Sequence, residues 1–398
     1  MIANRTLPIT IMFITRLYKE FFDSEKIGGL ILIIMTVVSI TLANSQWGDS
    51  YMDFWNTKAG GHTIVHWIND GLMAIFFLLI GLELEREIYQ GELSSLKSAS
   101  LPIFAAVGGM IIPAGIFLLL NFGTPAQSGA GIPMATDIAF AIGILSLLGK
   151  KVPASLKIFL TALAVIDDLG AIIIIAVFYT GTLSATNLLI SLGVFAFLIV
   201  LNRMKVNSLI PYAIGGIIMW IFMSKSGVHA TITGVLLAFT IPFKDGSDKS
   251  PSYRLQHFLN KPVALLILPL FALANTSLVI DSNIISKLGD NHSLGIIAGL
   301  FIGKPLGVVL FSALGVSLGL SSIPPELKWK NIAGAGFLAG IGFTMSIFIS
   351  LLAYESPELI NISKISVFVG SLLSGIAGLL LLRFSLKNQP EISVNKGS

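Results

Sequence analysis

The chain has 398 residues, 54% of them hydrophobic and only 12% charged, with a mean hydropathy of +0.87. That balance excludes a soluble globular protein, and the absence of cysteine excludes disulfides, thiolate metal sites and thiol nucleophiles. A net charge of +4 raises the question of a polyanionic partner, which the placement of the charges answers.

Residues 9–22 mix Phe13, Leu17, Tyr18 and Phe21 with Arg16, Lys19 and Glu20, a pattern that suits a short interfacial helix. No small-residue cleavage site follows, so the first apolar run reads as a span and not a signal peptide. Apolar run length and Gly/Pro punctuation predict an all-α polytopic membrane protein with about twelve transmembrane helices. The spans are expected near 27–44, 66–88, 100–121, 126–147, 154–179, 186–202, 209–223, 227–241, 258–276, 294–316, 331–354 and 361–384. This makes 27–386 one membrane domain, between an N-terminal segment 1–26 and a tail 387–398. Twenty of the 25 Lys and Arg residues then fall on one side and four on the other, with Lys304 inside a span. The positive-inside rule places both termini in the cytoplasm, and the basic balance needs no nucleic acid to explain it. Membrane lipid is the partner implied.

The loop 45–65 carries Trp47, Tyr51, Phe54 and Trp55, suited to an interface, and the pair Gly60-Gly61, suited to a hairpin turn. The second span ends in GLELEREIYQGE, holding Glu83, Glu85, Arg86, Glu87 and Glu92. A charge run of this kind is ordinarily a solvated helix end.

Two spans are interrupted. The fourth reads TPAQSGAGIPMATDIAFAIGILSLL, broken around Pro133 and followed by Thr136 and Asp137. The eleventh reads NIAGAGFLAGIGFTMSIFISLL, with Gly334, Gly336, Gly340 and Gly342 ahead of Thr344 and Ser346. Such density of Gly and Pro weakens a helix and frees backbone groups that neighbours must satisfy. Interrupted spans at matching places in two halves, here the middle members of spans 3–5 and 10–12, point to a transporter ion site. Close packing through small residues is the plainer alternative for the eleventh span.

The fifth span, ALAVIDDLGAIIIIAVFY, holds Asp167 and Asp168 side by side. A carboxylate at mid-bilayer costs on the order of 2.5–3.5 kcal/mol on insertion scales, so an idle pair is not expected there. Neighbours lie about 100° apart around a helix, so the two acids cannot both face lipid. The tenth span adds Lys304 in GLFIGKPLGVVL. An unpaired ammonium at that depth is costly, so Lys304 is expected to pair with Asp167 or Asp168, functionally or as a structural salt bridge. His229 in KSGVHAT and His257 in RLQHFL carry the one side chain that titrates near neutral pH. Burial raises a carboxyl pKa, and Na⁺, like other hard cations, prefers oxygen ligands. One set of oxygens therefore binds either protons or Na⁺, and a carrier that turns only when occupied exchanges them.

The stretches GLELERE, MATDIAFAIG, KIFLTALAVIDDLGAIIIIAVFY, KSGVHAT, ILPLFALAN, GIIAGLFIGKPLG and GIGFTMSIFIS closely resemble the NhaA sodium–proton antiporters of bacterial inner membranes. The resemblance implies twelve helices arranged in inverted repeats, with helices 4 and 11 discontinuous and unwound, and Asp167 and Asp168 as the carboxylates for Na⁺, Li⁺ and protons. It implies Lys304 pairing with Asp167, Asp137 and Lys304 compensating the half-helix ends, and Thr136 as a further oxygen ligand. It also implies electrogenic exchange without a cofactor, alkaline activation through Glu83, Arg86 and Glu87, and a homodimer formed through 45–65. Gln256 stands where the family pattern suggests Glu, and Glu85 where Lys is usual, which puts the pH profile in question. An intramembrane aspartic protease needs Asp residues from two helices in YD and GxGD contexts, which do not occur. A cation channel would set its acids in a ring at an oligomer axis. An organic-solute symporter would show substrate-sized polar and aromatic lining by the broken helices.

Overall fold

The computed structural model describes residues 27–279 and 285–387. The expected interfacial helix at 9–22 and the tail beyond 387 lie outside them. Among the described residues eight helices are long and apolar enough to cross a membrane, and ten spans result if each of two bent helix pairs counts as one.

Helix α1, Ile27–Ala43, turns by 114° into α2, Gly48–Asn56. A two-stranded hairpin follows, β1 Lys58–Ala59 pairing antiparallel with β2 His62–Thr63. Gly60 and Gly61 both take positive φ, 63° and 92°, which this two-residue turn requires. Helix α3, Ile64–Tyr89, includes a π-helical turn at Trp67–Leu72. Helix α4 spans Leu96–Asn121. The fourth span starts as a 3₁₀ segment, Gln127–Met134, runs extended through 135–137, and resumes as α5, Ile138–Ser146. Helix α6 covers Ala154–Phe178, α7 Ala185–Arg203 and α8 Ile210–Ser224. Within the expected span 227–241 the helix α9 is only Ile232–Ala238, because the chain still turns at Gly227 with φ +87°. Helices α10, Pro251–Asn275, and α11, Asn291–Ser317, each contain a π-helical turn. Helix α12, Trp329–Ala339, and α13, Phe343–Ala353, meet at 47° across the second break, and α14, Pro357–Ser385, closes the described fold.

Helices α4 and α11 cross at facing glycines. A Cβ on Gly108 would stand 2.2 Å from the Gly307 carbonyl oxygen, and one on Gly307 2.1 Å from that of Gly108. Small residues permit this approach, the usual substitute in membranes for a hydrophobic driving force between helices. The crossing carries the Lys304 stem along the bare backbone of Gly109, where a Cβ would sit 3.5 Å from it.

Candidate functional site

Breaking two spans frees backbone donors and acceptors in the protein interior, where each orphan costs several kcal/mol. The breaks cross and satisfy one another. The Asp137 amide donates to the Ile341 carbonyl at 2.6 Å, and the Ser346 hydroxyl donates to the Ile132 carbonyl at 2.6 Å. Thr136 Oγ1 lies 2.8 Å from both the Ala339 carbonyl and Asp167 Oδ2, and its one proton serves either.

Asp137 sits at two helix starts at once. Its Oδ1 accepts from the Phe140 amide at 3.1 Å, capping α5, and its Oδ2 accepts from the Thr344 amide at 3.0 Å and from the Thr344 hydroxyl. Gly342, the residue before α13, has no side chain to cap that helix, so the acid from the other break does it. A buried anion there offsets the partial positive charge of both N-termini. The opposite sign appears at one of the other ends: Lys304 Nζ donates to the Met134 carbonyl, which closes the 3₁₀ segment.

Lys304 also reaches α6. Its Nζ is 2.6 Å from Asp167 Oδ2, with both side chains fully buried. Asp167 Oδ2 therefore takes the ammonium and shares the Thr136 hydroxyl proton with the Ala339 carbonyl, while Oδ1 finds no donor among the described residues. Asp168 has no exposed surface, and neither of its oxygens finds a donor there. Three carboxylate oxygens on two neighbouring residues thus have no N–H or O–H partner among the described residues, and oxygens of this kind accept a hard cation or a proton. Thr161, two turns earlier on α6, adds a buried hydroxyl with no partner among the described residues.

The structure brings Thr136, Asp137, Asp167, Asp168 and Lys304 together. Pro133 and Gly340 lie beside the same crossing, pressed against Gly299 and the Leu300 carbonyl of α11, and Gly342 lies against the Leu300 side chain. The acidic end of α3 is not a solvated terminus. Glu83, Glu85 and Glu87 are 3%, 5% and 1% exposed, because the start of α10 packs over them. Ser252 of that helix donates to Glu85 Oε2 at 3.1 Å, Gln256 is buried alongside, and Arg86 pairs with Glu87 at 3.3 Å. Just outside the span, burial and the neighbouring Glu87 raise the Glu92 carboxyl. His257 is exposed and stacks on Tyr253. His229 lies elsewhere, with Nε2 2.7 Å from the Tyr179 carbonyl and within electrostatic reach of Asp70. Asp70 precedes Glu83 by thirteen residues, about 20 Å of helix, so the two histidine candidates do not share one cluster. Sequence reasoning missed the Met134, Ala339 and Ile341 carbonyls, which every residue type carries and no side chain advertises.

The family profile described as Na⁺/H⁺ antiporter 1 matches residues 19–382, most of the chain. The chain belongs to that family. The Na⁺/H⁺ antiporter NhaA 1 of Flavobacterium johnsoniae is 65% identical over 375 residues, covering 94% of this chain and 98% of the relative. The Na⁺/H⁺ antiporter NhaA of Dechloromonas aromatica is 56% identical over 379 residues, covering 94% and 97%. Among solved structures, the sodium proton antiporter MjNhaP1 of Methanocaldococcus jannaschii at pH 8 aligns with a TM-score of 0.53. It is 14% identical and covers 93% of this chain and 97% of that one, a likeness of fold. The paired acids, the buried lysine and the crossed breaks therefore belong to a Na⁺/H⁺ antiporter family member, a bacterial membrane protein of transporter type.

Proposed function

We propose that this antiporter exports one Na⁺, or Li⁺, in exchange for more than one proton, by turning one site alternately to each side of the membrane. The observation that carries the reading is Asp168: a fully buried carboxylate whose two oxygens have no partner among the described residues, beside the engaged Asp167–Lys304 pair. In the proton-loaded form Asp168 holds one proton and Lys304 another, with Asp167 neutralised by the ammonium. Na⁺ binds both carboxylates, with the Thr136 hydroxyl as a further oxygen, and displaces the ammonium from Asp167. A buried ammonium without its carboxylate is costly, so Lys304 gives up its proton as Asp168 does. Two protons leave for each Na⁺ that enters, and the exchange moves net charge.

The crossed breaks, held by a few side-chain bonds around Asp137, are the elements around which the site changes its facing. The buried group of Glu83, Glu85, Arg86, Glu87 and Gln256 sets the pH range of activity, with Gln256 and Glu85 giving this chain its own profile. His229 and His257 are secondary candidates for that role. We place the protein in the bacterial inner membrane with both termini in the cytoplasm, as a homodimer joined through the hairpin at 45–65. Reconstituted vesicles test the charge movement: an imposed membrane potential, with no pH gradient, should drive radioactive Na⁺ across. Flux that ignores the potential would overturn the stoichiometry.

A further inference from the structure

Two cavities on the outer face of the fold take no part in the ion site. The first, about 390 Å³, is apolar and runs between α1, with Ile33 and Val37, and α14, with Leu372 and Ile376, ending on Phe140 and Phe343. The second, about 780 Å³, lies at the end of α14, where Lys151, Arg383 and Lys387 border Leu380 and Phe384. Leu147 and Leu379 line both, so the two adjoin as one groove with an apolar length and a cationic mouth. No acidic side chain lines either part, and none of the three cations is in an ion pair among the described residues.

The dimensions suit one kind of occupant. Leu379 and Phe368 are eleven residues apart on α14, about 16 Å of helix, close to half of a roughly 30 Å hydrocarbon layer. The mouth lies on the membrane face to which the positive-inside reading assigns the cytoplasm. We propose that this groove is a specific site for an anionic phospholipid. Its phosphate sits among Lys151, Arg383 and Lys387, and one acyl chain lies past Leu147 and Leu379 as far as Phe140 and Phe343.

Charge decides between candidates. A zwitterionic headgroup brings a further cation to a mouth that already holds three, whereas an anionic headgroup brings negative charge alone and is what basic pockets at a membrane surface recognise. An arginine among them adds bidentate phosphate geometry. A second copy, related by a two-fold axis along the membrane normal, would bring its own cationic mouth to the same depth against this one. The tail's end abuts Phe343, the first residue of α13, whose amide the Ser371 hydroxyl holds at 3.2 Å. The occupant thus touches the second broken helix without entering the ion site.

Native mass spectrometry of detergent-purified protein, offered phosphatidylglycerol or phosphatidylcholine, tests this. The wild type should retain one phosphatidylglycerol per chain and no phosphatidylcholine, and excess inorganic phosphate should not displace it. Retention should fall several-fold in Lys151→Gln/Arg383→Gln/Lys387→Gln and in Ile376→Trp, which blocks the tail. Lys151→Arg/Lys387→Arg should retain lipid fully, which a misfolded chain would not. Unchanged retention in the triple variant, equal binding of phosphatidylcholine, or displacement by phosphate alone would overturn the proposal. So would Ile376→Trp lowering the dimer population while leaving lipid retention intact.

Discussion

Removing the Asp137 carboxylate should loosen both broken helices together. The side chain is 2% exposed and receives the Phe140 amide, the Thr344 amide and the Thr344 hydroxyl. Loss of one N-cap costs about 0.5–2 kcal/mol, so the loss of two amounts to about 1–4 kcal/mol. The negative charge facing two helix N-termini is worth up to ~2 kcal/mol for each in a partly buried setting. The buried Thr344 groups left without an acceptor add to the cost. Asp137→Ala should therefore lose several kcal/mol, while Asp137→Asn keeps one acceptor oxygen and so one of the two caps, losing the other together with the charge. The assay is equilibrium unfolding in a mixed micelle at increasing denaturing detergent, read by tryptophan fluorescence. The expected order of midpoints is wild type, then Asp137→Asn, then Asp137→Ala. An Asp137→Ala midpoint equal to the wild type would refute the claim that this acid holds the crossing.

Lys304→Ala strands the Asp167 carboxylate and the Met134 carbonyl in the buried interior, and breaking such a pair costs about 3–5 kcal/mol. Asp167→Asn in the same chain should recover part of that loss in the same unfolding assay, since the stranded charge is then gone. Thr136→Val keeps the shape but removes the hydroxyl between Asp167 and Ala339, and should raise the Na⁺ concentration for half-maximal exchange several-fold. Thr136→Ser should stay near the wild type in the same titration. Gly340→Ala places a Cβ 2.4 Å from the Leu300 carbonyl oxygen, and overpacking of this kind costs about 1–3 kcal/mol. A lowered melting temperature in detergent checks it.

The charges at membrane depth were legible because they stand out against apolar runs. Asp137, Asp167, Asp168 and Lys304 could be picked from the sequence by their cost, and the interruptions around Pro133 and Gly340 by their composition. Which acid takes the lysine was not legible from residues alone. It depends on α4 and α11 meeting at Gly108 and Gly307, which brings Lys304 over Asp167 Oδ2. The carbonyls of Met134, Ala339 and Ile341 left no trace in the sequence, because backbone acceptors are the same in every residue. The acids from Glu83 to Glu87 read as a solvated end, since nothing local shows that the start of α10, far along the chain, packs over them. Run length overstated the helix at 227–241, where Gly227 at positive φ keeps the chain turning before α9 begins.

The central claim is that Asp168 is where Na⁺ and protons compete. Everted membrane vesicles carrying a respiration-generated pH gradient, reported by a fluorescent dye, test it most directly across a series of pH values. Addition of Na⁺ or Li⁺, but not K⁺, should collapse the gradient with the wild-type protein, and Asp168→Asn at equal membrane abundance should give no collapse at any pH. A cation-dependent collapse that persists in Asp168→Asn would contradict the account.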